Sequence, residues 1–331
     1  MAPALLLEPE ITTGVTSATA KKEANKPTVY VIDPWHPKAI EHARTLFNVV
    51  LNTDKDFQGW QEKATAILMR GSYLRRDDIE KCPKLIAIGK HGVGIDKIDA
   101  QECASRGIKI LNTPGANAQA VAELVLALTM SVARQIPSIA TRQLKEPVHK
   151  QSCNGVTLHG KSVGIIGMGS IGRKVANMFR GAFNAPIMAY DPYMPADAWS
   201  DIEHTRVQSY TDILAHADVL TIHVPLTEET RGMISYKELS HMKQTAILIN
   251  ASRGGIVDEK DLQRALSESL IWGAGLDAHE EEPPTVERYG ELWELPNVVS
   301  TPHIGAATED AQLASALGAV DNLYNYLVSL N

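Results

Sequence analysis

Short apolar runs alternate with amphipathic stretches along most of the chain. Runs at 28–33, 64–69, 85–88 and 109–111, then at 162–166, 186–190, 219–223, 246–250, 273–276 and 298–300, are mostly apolar and bounded by turn-forming residues. They read as strands buried on both faces. The intervening stretches carry helical period and capping signals. Asp258, for example, is followed by Asp261 and the apolar set Leu262, Ala265 and Leu266, as expected of an N-cap and its buried stripe. Strand–helix alternation on this scale predicts an α/β fold with parallel, doubly wound sheets. The run 118–134 contains no Gly or Pro and follows the turn Asn112-Thr113-Pro114-Gly115, so it reads as a crossover between domains. A terminal helix over 307–330 either returns to the first domain or caps the second; periodicity does not choose.

The stretch KSVGIIGMGSIGRKVANMFRGAFNAPIMAYD, residues 161–191, is the most informative. A buried strand runs into Gly167, Gly169 and Gly172 in G-x-G-x-x-G spacing, and these open an amphipathic helix over 173–179. A second strand then ends in Asp191, 19 residues beyond Gly172. Each position has a task in binding a dinucleotide. The first glycine allows the tight turn, the second lets backbone approach a pyrophosphate, and the third lets helix pack on strand. The helix N-terminus presents N–H groups and a positive dipole end to the phosphates. An acid ~20 residues further on suits the adenosine ribose diol. More than a hundred ordered residues precede this fingerprint, so a separate domain comes first.

Composition narrows the partners. The 331 residues are 44% hydrophobic and 21% charged, ordinary for a globular protein, and their number favours two domains. A net charge of −7 argues against a nucleic-acid surface. Cys82, Cys103 and Cys153 have no C-x-x-C spacing, so we read free thiols of a reducing compartment, neither nucleophiles nor ligands, and no metal site. The most apolar run, 121–133, contains Glu123 and is shorter than the ~20 residues of a membrane span. The first 27 residues read as a flexible arm. Glu8 and Glu10 stand where a signal peptide needs basic residues, and the arm has no Arg, so a cytoplasmic location without membrane partners is expected.

Three later segments stand at predicted strand ends, where open α/β sheets bind ligands. In Asn250-Ala251-Ser252-Arg253-Gly254-Gly255, a guanidinium beside paired glycines suits bidentate capture of a carboxylate, or pairing with a structural acid. In Asp277-Ala278-His279-Glu280-Glu281-Glu282-Pro283-Pro284, we read Glu280 and Glu281 as a solvated acidic loop and His279 as a surface residue, with the cleft as its other placement. In Thr301-Pro302-His303-Ile304-Gly305, a histidine lies in a strand-terminal turn, and acid–base work needs such a ring to be oriented by a carboxylate.

Taken together, the fingerprint, His223-Val224-Pro225-Leu226-Thr227, Asn250–Gly254, Glu282-Pro283, Thr301–Gly305, Gly92-Val93-Gly94-Ile95-Asp96 and Val121-Ala122-Glu123 resemble the D-isomer-specific 2-hydroxyacid dehydrogenases. The resemblance runs from about residue 28 onward. It implies two Rossmann-like domains: a discontinuous substrate-binding domain of residues 28–117 and 305–331, and an NAD-binding domain of residues 118–304. It implies a catalytic triad of Arg253, Glu282 and His303. Cofactor contacts would come from Gly167, Gly169, Ser170, Ile171, Gly172, Asp191, His223, Pro225, Thr230, Ala251, Ser252, Arg253, Asp277, His303 and Gly305. Substrate contacts would come from Lys90, Val93, Gly94, Arg253 and His303. The family wording Val-Phe after the late aspartate is here Ala278-His279, and a common Gly-Lys-Trp is missing from 145–154.

The expected activity is NADH-dependent reduction of a small 2-oxo acid to its D-2-hydroxy acid. The alternatives are a phosphoglycerate dehydrogenase, since Lys90 stands where relatives acting on phosphoglycerate tend to carry Arg, and an NAD(H)-sensing protein like the C-terminal-binding-protein corepressors. A formate dehydrogenase is disfavoured by the acid at Glu282. Asp191 would repel the 2′-phosphate of NADP, and no Arg or Lys from Asp191 to His204 offsets it. The apolar circumference of the 118–134 helix predicts a homodimer, unless the helix is simply buried.

Overall fold

The computed structural model describes residues 26–330; the expected arm falls almost wholly outside them. The chain divides into two compact units. The described parts of the first are residues 26–91, 95–113 and 316–330; the second holds residues 92–94 and 114–315.

The first unit is a five-stranded sheet of β1 (Thr28–Val31), β2 (Asn48–Leu51), β3 (Ala66–Met69), β4 (Ala87–Lys90) and β5 (Lys109–Leu111), in the order β2-β1-β3-β4-β5. All pairs are parallel. This is one of the two common doubly wound orders. β3 and β4 are fully buried, and β3 reads accordingly as an unbroken apolar run, whereas β4 ends in the buried Lys90. β2 was not visible in the sequence because it is an edge strand, short and only half buried. The helix Glu309–Ser329 places Val320, Leu323 and Leu327 in a core with Val29, Val31 and Leu68. Gly89 permits this packing: a Cβ there would stand 3.0 Å from the Ala319 carbonyl and 3.2 Å from Leu323.

The second unit has seven parallel strands: β6 (Val163–Ile166), β7 (Ile187–Tyr190), β8 (Thr205–Arg206), β9 (Val219–Ile222), β10 (Ile247–Asn250), β11 (Gly273–Leu276) and β12 (Val298–Ser300). Their order is β12-β11-β10-β9-β6-β7-β8, so strand order reverses beside β6, the position from which this fold binds dinucleotides. β8 is another missed edge strand, of two residues. The helix Ala118–Ala133 has Val121, Val125, Leu128 and Val132 buried, with Leu124, Leu126 and Met130 packed on the same core. Its apolar circumference is therefore largely satisfied within the unit, which removes the reason for which it predicted a dimer. Among the described residues no single helix is long and apolar enough to cross a membrane.

Candidate active site

The fingerprint turn is built as the glycine spacing requires. Gly167 has φ of 101°, and a Cβ on it would overlap the His223 carbonyl. A Cβ on Gly172 would overlap the Gly167 carbonyl, so only glycine lets the helix Ser170–Phe183 start this close to β6. Gly169, by contrast, faces open space, and as N-cap it has no side chain to satisfy the first N–H groups. Those donors and that space fit a pyrophosphate. Ser170 is exposed and Ile171 half-buried at the same turn. Asp191, just beyond β7, links this turn to its own: Oδ2 accepts the Met168 N–H at 2.9 Å and Oδ1 the Tyr193 N–H at 3.0 Å.

Opposite the fingerprint, the loop after β9 is held from within. His223 donates its N–H to the Ile166 carbonyl, and its ring Nε2 lies 2.9 Å from Thr221 Oγ1. Burial pushes this imidazole down to about 3, so it is neutral, and its buried Nδ1 has no partner among the described residues. Thr230 Oγ1 donates to the Pro225 carbonyl at 2.7 Å and accepts the Thr227 N–H at 2.7 Å. After β10, Ala251 and Ser252 are buried, and the Ser252 hydroxyl donates to the Val224 carbonyl. Asn250 frames the turn that carries Arg253: its Oδ1 accepts the Ser252 N–H and its Nδ2 donates to the Arg253 carbonyl. Arg253 Nη1 donates to the Ser252 carbonyl at 2.7 Å.

The histidine and its acid meet. His303 Nδ1 lies 2.9 and 3.0 Å from the two Glu282 oxygens, which leaves Nε2 as the ring's working edge. The hydrogen bond to Glu282 raises the His303 pKa above its ordinary 6.5, against burial and the nearby charge of Arg253. Burial alone would push Glu282 up, but His303 and the His279 N–H outweigh it and hold the carboxyl below its ordinary value. His303 has φ of 57°, a left-handed conformation costing on the order of 1 kcal/mol for a residue with a Cβ. Buried Asp277 imposes this turn. Its Oδ1 accepts the Thr301 hydroxyl at 2.6 Å and the Ile304 N–H at 2.7 Å, and its Oδ2 accepts the Gly305 N–H at 2.8 Å. A Cβ on Gly305 would stand 3.0 Å from that oxygen.

One sequence expectation needs correction. His279 is not a surface residue: it is 3% exposed. Its N–H donates to Glu282 Oε1 at 3.2 Å, its Nε2 lies 2.8 Å from Ser300 Oγ, and its ring meets Tyr289 edge-on at 5.0 Å. Burial pushes this imidazole down, keeping it neutral. A strand-end turn with three charged neighbours looked solvated in sequence, yet exposure begins only at Glu280, and Asp277, Ala278 and His279 are buried. Lys90, expected among the substrate contacts, is also buried. It is 6% exposed at the end of β4, and its ammonium donates to the carbonyls of Arg70 at 2.9 Å and His91 at 2.7 Å. Val93 and Gly94 belong to the second unit, with Val93 exposed.

Residues 126–305 match the family described as D-isomer specific 2-hydroxyacid dehydrogenase, NAD binding domain. A hydroxypyruvate reductase of Thermotoga maritima is 41% identical over 262 residues, 79% of this chain and 84% of its own length. A D-3-phosphoglycerate dehydrogenase of Methanocaldococcus jannaschii is 38% identical over 291 residues, 87% of this chain but 55% of its own, so the chain spans about half the length of that relative. A glyoxylate reductase structure from Paecilomyes thermophila aligns with a TM-score of 0.80 at 29% identity, covering 90% of this chain and 94% of that one. The chain belongs to the D-isomer-specific 2-hydroxyacid dehydrogenase family and carries its NAD-binding domain.

Proposed function

We propose that this protein reduces a small 2-oxo acid, of the glyoxylate and hydroxypyruvate class, to its D-2-hydroxy acid with NADH, reversibly. The His303–Glu282 pair carries the reading: an imidazole with one nitrogen on a carboxylate and the other unbonded among the described residues is arranged to exchange one proton with a ligand. When bound, the nicotinamide supplies the hydride to C2. His303 Nε2 gives its proton to the forming alkoxide, and in the reverse direction takes it back. Glu282 orients the ring and favours its charged form. Arg253 and the amides of Val93 and Gly94 hold the substrate carboxylate, with the Arg253 fork also polarising the carbonyl. Positioning and electrostatics, not covalent chemistry, supply the acceleration.

In this reading residues 28–117 and 305–331 bind substrate and 118–304 bind NAD. The fingerprint turn with His223, Pro225, Thr230, Ala251, Ser252, Arg253, Asp277, His303 and Gly305 forms the cofactor site. Asp191 takes the ribose diol and disfavours NADPH by ~10-fold, equal to ~1.4 kcal/mol. We place the protein in the cytoplasm as a homodimer. Support for the dimer now comes from Ile136 and Leu144, which are 52% and 87% exposed at the two ends of the helix Ile136–Gln143.

A phosphoglycerate dehydrogenase is the second reading, favoured by the Methanocaldococcus relative and by a lysine at position 90. The test is NADH oxidation with glyoxylate, hydroxypyruvate and phosphohydroxypyruvate. Turnover with the first two supports the reductase, and a strong preference for the phosphorylated acid supports the second reading. Tight NADH binding without turnover on any of them would leave a sensor instead.

A further inference from the structure

The turn that carries Asp191 is poor in its own hydrogen bonds. It runs Asp191-Pro192-Tyr193-Met194-Pro195, and neither proline has an N–H to give. Three of its carbonyls are nevertheless gathered by one side chain. Arg206 Nη2 donates to the carbonyls of Asp191 at 2.8 Å and Met194 at 2.6 Å, and Nη1 donates to that of Pro195. The guanidinium is delivered by β8, whose Arg206 sits in register with Ala189 of β7, two residues before Asp191. The turn is thus wound around a planar fork that no lysine or neutral side chain reproduces. On its other side the Asp191 carboxylate accepts the N–H groups of Met168 and Tyr193. The fork therefore fixes the backbone from which that carboxylate projects.

We infer that Arg206 is a positioning residue for cofactor specificity: by clamping the 191–195 turn it presents Asp191 to the ribose diol and sets the preference for NADH over NADPH. A second consequence follows from the same bonds. An arginine this close to a ribose-binding acid could otherwise attract a 2′-phosphate, but here its Nη donors are turned to the three carbonyls. The inference rests on the reading of Asp191 as the ribose ligand and does not depend on which acid is the substrate.

The test is binding, not turnover: fluorescence titration of the protein with NADH and with NADPH in the absence of any 2-oxo acid. Wild type should bind NADH at least ~10-fold more tightly. Arg206→Met should weaken NADH about 10-fold and leave NADPH nearly unchanged, collapsing the preference. Arg206→Lys, which keeps the charge and most of the packing, should fall between them, and serves if the methionine variant folds poorly. In an Asp191→Ala background, Arg206→Lys and Arg206→Met should have little further effect on NADH, because the arginine acts through that carboxylate. Additive losses, or an unchanged NADH to NADPH ratio in both Arg206 variants, would overturn the inference. A wild type with no preference would instead reject the assignment of Asp191 itself.

Discussion

Asp191 and Asp277 look alike in the sequence, and the second unit uses them for opposite purposes. Each follows the last residue of a parallel strand in the same sheet, and each accepts backbone N–H groups from a neighbouring turn. Asp191 is half-buried, and each oxygen takes one backbone N–H, which leaves the carboxylate with acceptor capacity to spare. Asp277 is 1% exposed and spends its carboxylate on the Thr301 hydroxyl and the N–H groups of Ile304 and Gly305. In the proposed reading one acid meets the cofactor while the other shapes the turn that aims His303. What separates them is how many protein donors each has already accepted, and that depends on contacts 24 to 28 positions away in the chain.

Substitutions can break this contrast, and the largest effect belongs to the residue Asp277 holds. His303→Ala should lower kcat in both directions by ~10²–10⁴-fold, the usual contribution of a general acid–base group, while NADH binding stays close to wild type. A loss confined to KM would mean that the ring only binds. Next comes the acid behind it. Asp277→Asn replaces a buried acceptor with a group that presents donors to N–H groups, at a cost of ~2 kcal/mol or more. A melting temperature several degrees lower should accompany a fall in kcat of about tenfold or more, as the His303 turn relaxes from its φ of 57°. Asp191→Ala should do the reverse: lose NADH affinity by ~10-fold with melting within a degree or two of wild type. If thermal unfolding shows the two variants equally damaged, the distinction between ligand acid and turn acid is wrong.

Much of this unit was legible because the forces are local. The Gly167-x-Gly169-x-x-Gly172 turn and the buried strands declare themselves within thirty residues, since backbone sterics and period decide them. Edge strands β2 and β8 did not: β8 has two polar residues, and the three apolar residues of β2 follow the helix Pro37–Leu46 almost directly, with no turn signal to set them apart. The side chains of His279, Lys90 and Arg206 were hidden for another reason. Each is a polar group bonded to partners brought close only by the fold: Ser300 Oγ, the Arg70 carbonyl and the carbonyls of Asp191, Met194 and Pro195. A histidine among glutamates reads as solvated when composition is the only guide. The signal that could have flagged it was the replacement of Val-Phe by Ala278-His279, an aromatic-sized ring kept where an apolar one is common.

The smallest expected effect is also the most specific, and it concerns the half-exposed pair that Asp277 positions. Glu282 and His303 are 38% and 40% exposed, so their ion pair contributes little to stability in itself. Its signature is in pH. The carboxylate raises the imidazole pKa, and the imidazolium holds the carboxyl down. The raised histidine adds stability below its unfolded value, lost as pH rises through its folded one; the depressed glutamate adds stability above its unfolded value, lost as pH falls through its folded one. The pair is therefore strongest between those limits. Reduction needs the protonated ring, so its rate falls as pH rises through the His303 value, and oxidation behaves inversely. Glu282→Gln keeps the shape and removes the charge. The reduction limb should move to lower pH, oxidation should extend to the acid side, and the pH dependence of unfolding near neutrality should flatten. These profiles must be taken where proton transfer, not product release, limits turnover. A Gln variant that loses rate or stability with an unmoved midpoint would reduce Glu282 to a loop anchor, and the contrast between the two aspartates would then end at the turn, without reaching the proton.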